Sequence, residues 1–110
     1  MDTDKMIYEG NFYAAQVKSF LDADGRLTRY PSKYKMQVFA LFYFASKFEI
    51  GRHYSEKEVN DILKEWHTFA DWAMLRRELF NKRFLGRDSK GKEYWLESEQ
   101  PKPASFGFDV

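Results

Sequence analysis

The side chains best equipped for chemistry form a basic cluster: Arg76, Arg77, Lys82, Arg83, Arg87, Lys90 and Lys92, with Asn81 among them. Guanidinium and ammonium groups only donate hydrogen bonds, so such a set suits phosphate oxygens and base edges. Acid–base or nucleophilic chemistry finds little here. The chain has no cysteine, which removes disulfides, thiolate metal sites and cysteine catalysis. His53 and His67 are its imidazoles. His67 and Asp71 stand at i and i+4, a spacing that allows a side-chain pair, and a structural histidine outweighs a metal ligand because the residue types alone are weak evidence. Asp22-Ala23-Asp24-Gly25 lacks the third ligand and the distal Glu of a calcium loop and reads as a turn. No Ser-His-Asp order, glycine-rich phosphate loop or carboxylate pair is visible, so a non-enzyme with no metal, no cofactor and no small-molecule substrate is expected.

The cluster needs elements to hold it, and the stretch from Trp66 to Trp95 reads as a helix followed by a two-strand ribbon with a basic tip. Thr68-x-x-Asp71 resembles a helix start, giving a last helix over about 69–84. Leu85 to Asp88, the turn Ser89-Lys90-Gly91 and Lys92 to Glu97 then make a ribbon over 85–97. On a wheel of about 100° per residue, Leu75, Leu79, Trp72, Phe69, Phe80, Ala73 and Phe84 share one arc. Arg77, Ala70, Asn81, Met74, Glu78, Asp71 and Lys82 share the other, while Arg76 and Arg83 project into the apolar arc. Arg77 is therefore expected to meet phosphate or a base edge. Arg76 is expected at the core rim, paired with Asp71 or with a residue of the preceding helix, because a buried guanidinium requires a partner. Thr68, Met74, Arg77, Asn81, Lys82, Arg87, Lys90 and Lys92 form the candidate binding set, and His67, Asp71, Arg76 and Glu78 a structural one.

Upstream, Gly10 and Asn11 can open a helix, with Tyr13, Val17, Phe20 and Leu21 on one stripe. Arg26 to Tyr30 alternates like an edge strand or an extended arm. A second helix runs from about Lys33 to Phe48 with Ser32 as its N-cap, apolar nearly all round from Met36. Such a helix is either central or shared. Central burial is the simpler reading, and a homodimer through the 33–48 helix is the second. Arg52-His53-Tyr54 is a short extended piece, and Ser55-x-x-Glu58 is a capping box that opens a third helix with Val59, Ile62, Leu63 and Trp66 on its buried stripe.

Length and composition bound the rest. With 110 residues, 19% of them aromatic, the chain suits one ring-rich domain over 11–97, a frayed segment over 1–10 and a flexible tail over 98–110 whose Phe106 and Phe108 could dock on a groove. The apolar run Val38 to Ala45 is too short to cross a bilayer, and no basic leader precedes the domain, so a cytoplasmic protein without membrane contact is expected. Net charge is only +1. The basic charge collects in 26–35, with Arg26, Arg29, Lys33 and Lys35, and in 66–93, with 7 basic against 4 acidic residues. Many DNA-reading domains are more basic than this, so the order of the elements weighs more than charge in assigning a class.

The order helix, helix, short strand, helix, helix, strand, turn, strand matches, after its first helix, a winged helix-turn-helix: an α+β fold, mainly α, with an extra N-terminal helix and a small antiparallel β-wing. DGRLTRYPSK (Asp24–Lys33), FEIGRHYSEKEVNDIL (Phe48–Leu63), WHTFADWAMLRREL (Trp66–Leu79) and FLGRDSKGKEYW (Phe84–Trp95) together resemble the bacterial domain of unknown function 2087 family. The resemblance covers about residues 20–97. It implies a winged-helix-like domain, and relatives alone or attached to helix-turn-helix regulators imply work related to transcription. It supplies no catalytic or ligand residues. The expected function is a DNA-binding transcriptional regulator or accessory domain whose partner is double-stranded DNA. A protein–protein interaction module on the same scaffold is the alternative.

Overall fold

The helix after Ser55 shows most directly how this sequence makes its elements. Ser55 Oγ accepts the Glu58 N–H at 3.1 Å, and Glu58 Oε1 accepts the Ser55 N–H at 2.8 Å, so two of the donors left over at a helix start are satisfied reciprocally. The computed structural model describes residues 12–108. The expected Asn11 cap and the frayed segment 1–10 lie outside those residues.

The described chain begins with helical residues 12–16 and a 3-10 turn at Lys18–Phe20. Then follow α1 (Tyr34–Ala45), β1 (His53–Ser55), α2 (Glu56–Trp66), α3 (Trp72–Asn81), β2 (Leu85–Arg87) and β3 (Glu93–Leu96). A second 3-10 turn, Pro103–Phe106, closes the chain. The fold is α+β, mainly helical, with a small antiparallel sheet of strand order β1-β3-β2. His53 lies opposite Trp95, and Trp95 lies opposite Gly86, so one rung crosses all three strands. No helix among the described residues is long and apolar enough to cross a membrane.

The core is built around α1, whose residues Val38 to Ala45 are all buried within the single chain. A helix apolar on every side must be covered on every side. Tyr13 stacks on Phe42 at 4.4 Å, Phe84 meets Phe42 edge-on at 4.8 Å, and Phe106 packs on both Phe84 and Phe42. Val59 and Leu63 of α2, Leu75 and Leu79 of α3, and Tyr94 and Leu96 of β3 complete the same cluster.

Several boundaries differ from the sequence reading. Ser32 does not cap α1: the cap position is Lys33, without a side-chain bond. The helix expected over 69–84 is shorter at both ends. Thr68, Phe69 and Ala70 form a bend, with Ala70 at φ 54°. The backbone there is already engaged elsewhere: Leu27 donates to the Trp66 carbonyl at 2.8 Å and accepts from the Thr68 N–H at 2.9 Å. At the other end Arg83 turns into the left-handed region at φ 68°. Its N–H donates to the Phe80 carbonyl at 3.1 Å and the Phe84 N–H to the Leu79 carbonyl at 2.9 Å. That is a Schellman ending with arginine at the position usually held by glycine.

Candidate nucleic-acid interface

α3 and the β2–β3 hairpin carry the candidate residues, and two inward anchors orient α3. His67, at the C-cap of α2, is buried. Its Nε2 accepts the Asp71 N–H at 2.9 Å and its Nδ1 faces the Leu63 carbonyl, so the ring is the tautomer protonated on Nδ1. It packs edge-on against Phe69 at 4.7 Å. The i, i+4 spacing therefore joins His67 to the backbone of Asp71 rather than to its carboxylate, which stays exposed and makes no capping bond. Arg76 is the second anchor. Its guanidinium bonds to Asn60 Oδ1 and lies 3.4 Å from Glu56 Oε1, both on α2, with the side chain 19% exposed.

The outer surface divides the basic residues. Arg77 and Asn81, one turn apart on α3, are exposed. Lys82 does not look outward. It pairs with Glu78 at 3.2 Å, is 19% exposed and lies over the Tyr34 ring at 5.8 Å. Met74 is half-buried and packs against the core, and Thr68 is exposed in the bend before α3 rather than on the helix. Arg83 corrects the wheel as well. The helix ends at Asn81, so Arg83 leaves the apolar arc and is exposed. Arg87 Cζ lies over the Phe80 ring, 4.0 Å from its centre, which ties the hairpin base to the last turn of α3. Asn81, Arg83 and Arg87 line one groove with Trp95 and Glu97. Lys90 and Lys92 are exposed at the hairpin tip.

Among the described residues, Arg77, Arg83, Arg87, Lys90 and Lys92 form no ion pair. Several acids near them are engaged, while Glu99, which lines a pocket with Arg83, forms no ion pair among the described residues. Glu78 holds Lys82, Glu93 meets His53 Nδ1 at 3.0 Å, and Glu97 accepts the Trp95 indole N–H at 2.9 Å. Burial first, and the charge of Glu78 next, make the Tyr30 phenol harder to ionise than an ordinary tyrosine. Asp88 is turned onto its own loop: the Lys92 N–H foremost, joined by those of Glu93, Gly91 and Lys90, holds its carboxyl below the usual range. The other basic segment differs. Arg26 pairs with Asp22 at 3.2 Å, Arg29 covers the Phe20 ring at 4.6 Å, and Lys35 lies 5.7 Å from the Phe39 ring centre. Arg29, Lys33 and Lys35 also form no ion pair among the described residues, so what marks α3 and the hairpin is that five such cations lie there between Arg77 and Lys92 along the chain. No group of three His, Cys, Asp or Glu residues that could hold a metal occurs among the described residues.

Residues 26–96 match the family model described as an uncharacterized protein conserved in bacteria (DUF2087), which takes in α1 through β3. The chain belongs to the DUF2087 family. Thus the DUF2087 match includes both anchors, His67 and Arg76, and all five free cations of α3 and the hairpin. It excludes Tyr13, Phe106 and Phe108, the aromatic residues that close over α1 from the two flanks. No curated protein and no solved structure matches the chain.

Arg83 escapes a reading by sequence because the wheel runs on past the true helix end. The Lys82–Glu78 pair has a visible signal, its i, i+4 spacing.

Proposed function

We propose that this chain is a winged-helix domain that binds double-stranded DNA, with α3 toward the major groove and the β2–β3 hairpin along the backbone. The observation that carries the reading is the set of unpaired donors, Arg77, Arg83, Arg87, Lys90 and Lys92, with Glu78, Asp88, Glu93 and Glu97 engaged with local partners beside them. The order α1–β1–α2–α3–β2–β3 with sheet order β1-β3-β2 supports it, because a helix followed directly by a hairpin is the recognition layout of that fold. His67 and Arg76 keep α3 against α2, so the exposed side of α3 is presented as a rigid edge. Five cations give electrostatic, sequence-tolerant binding, and base reading falls to Arg77 and Asn81. A role in transcription follows as the biological setting.

The test is fluorescence anisotropy of a labelled random-sequence duplex across a salt series. With about four phosphate contacts, log K falls with log salt at a slope of roughly −3.6, a loss of about 150-fold between ~50 and ~200 mM. No binding at the lowest salt, or binding indifferent to salt, overturns the proposal.

A further inference from the structure

We infer that the principal phosphate seat of this surface is at the base of the hairpin, formed by Arg83 and Arg87, and not at its lysine-bearing tip. The inference rests on the proposed DNA binding and names the contact that dominates it.

Three observations converge on that base. Arg83 occupies the left-handed position that ends α3, at φ 68°, where glycine is the favoured residue and an L side chain is strained. Its side chain is exposed, and no hydrogen bond, ion pair or ring contact among the described residues explains why arginine stands there. A strained position held by a residue with no structural partner points to a ligand. Arg87 supplies the second half. Its contact with the Phe80 ring, Cζ 4.0 Å from the centre, restrains the guanidinium, while among the described residues none of its N–H groups is used internally. A guanidinium restrained before binding loses less freedom when it meets a phosphate than a lysine at a loop tip does. The third observation is placement. Arg83, Arg87 and Asn81 open onto one groove. Asn81 continues the exposed face of Arg77, so the donors run without a break from the helix to the hairpin base.

The carboxylates near the seat are Glu97, which shares the groove, and Glu99, which lines the other side of Arg83. Neither forms an ion pair with Arg83 or Arg87, and Glu97 Oε1 is held by the Trp95 indole N–H. Lys90 and Lys92 flank the Gly91 turn and have no ring or acid to fix them among the described residues.

The experiment compares salt slopes for the random-sequence duplex among wild type, Arg83→Gln/Arg87→Gln and Lys90→Gln/Lys92→Gln, with Arg83→Gly as a further variant. Loss of two phosphate contacts lowers the slope by about 1.8, so the arginine double variant forfeits about 12-fold of the affinity change between ~50 and ~200 mM salt. The lysine double variant is expected to forfeit less than half of that on the log scale. Arg83→Gly relieves the backbone strain, so it raises the denaturation midpoint while losing about 0.9 of slope. A role in folding alone would not separate those two readouts. Equal or larger loss from the lysine pair, with wild type still binding, overturns the inference and leaves DNA binding standing. Wild type that fails to bind at all overturns both.

Discussion

Replacing His67 by alanine tests whether this buried imidazole holds α3 in place. The ring bridges two backbone groups on either side of the α2–α3 junction, the Leu63 carbonyl and the Asp71 N–H. Alanine leaves both without a partner beside the core, at roughly 1–3 kcal/mol each. The ring's contacts with Phe69 and Phe44 are lost as well. A total of about 3–5 kcal/mol is a large share of the roughly 5–15 kcal/mol expected of a domain this size. With a urea dependence of about 2 kcal/mol per molar, the unfolding midpoint falls by about 1.5–2.5 M. Asp71→Ala is the control. Its role runs through the backbone N–H, which alanine keeps, so stability stays within about 0.5 kcal/mol of wild type. A loss below about 1 kcal/mol for His67→Ala, or equal losses for the two variants, refutes the bridge and favours a side-chain pair.

Three further outcomes rest on named contacts. Arg76→Ala breaks the link to Glu56 and Asn60 and costs about 1–2 kcal/mol in urea denaturation, whereas the exposed Arg77→Ala stays within about 0.5 kcal/mol and lowers duplex affinity; the reverse pattern means the faces are exchanged. Gly86→Ala places a Cβ 2.5 Å from both Trp95 Nε1 and Glu97 Oε1, so the indole must shift: tryptophan emission changes and stability falls by about 1–3 kcal/mol, and an unchanged spectrum contradicts the close approach. Asp88 has a folded ionisation below its unfolded one, so its contribution is present above the ordinary carboxylate value near pH 4 and disappears as pH falls through the lower folded value. Faster amide exchange at Lys92 and Glu93 in that acid window, beyond the intrinsic pH effect and absent in Asp88→Ala, is the expected NMR result.

Legibility from sequence tracks the range of the interactions. The Ser55–Glu58 box is readable because donor and acceptor are three residues apart, and the apolar face of α2 because its period is local. The ends of α3 are not. Its start depends on Leu27, some forty residues upstream, taking the backbone groups of Trp66 and Thr68. Its end depends on an arginine adopting a conformation that propensity assigns to glycine. Pairing of β1 with β3 is equally non-local: His53 meets Trp95 across most of the second half of the chain. The same limits decide the site. The exposure of Arg77 depends on helix phase alone, while Arg83 joins the groove only because the helix stops before it. Lys82 shows the opposite failure: its outward phase on the wheel is overridden by Glu78 one turn away and by Tyr34 of α1.

The burial of α1 bears on how the domain is assembled. An all-apolar helix leaves a small fold two ways to satisfy it, a second chain or more of its own chain. Here its own chain suffices, because segments outside the family match reach it. Tyr13 lies flat on Phe42, Phe106 closes against Phe84 and Phe42, and Phe108 sits near Phe39 and Tyr34. Gln100 fastens the tail by donating to the Phe84 and Glu97 carbonyls at 2.8 Å. The tail therefore packs against Phe84, the residue immediately after Arg83. Its aromatic contacts and Gln100 hold the inner side of the same turn whose outer side presents the arginine. Core closure and the proposed phosphate seat thus meet in one turn of backbone, with Phe84 facing in and Arg83 facing out.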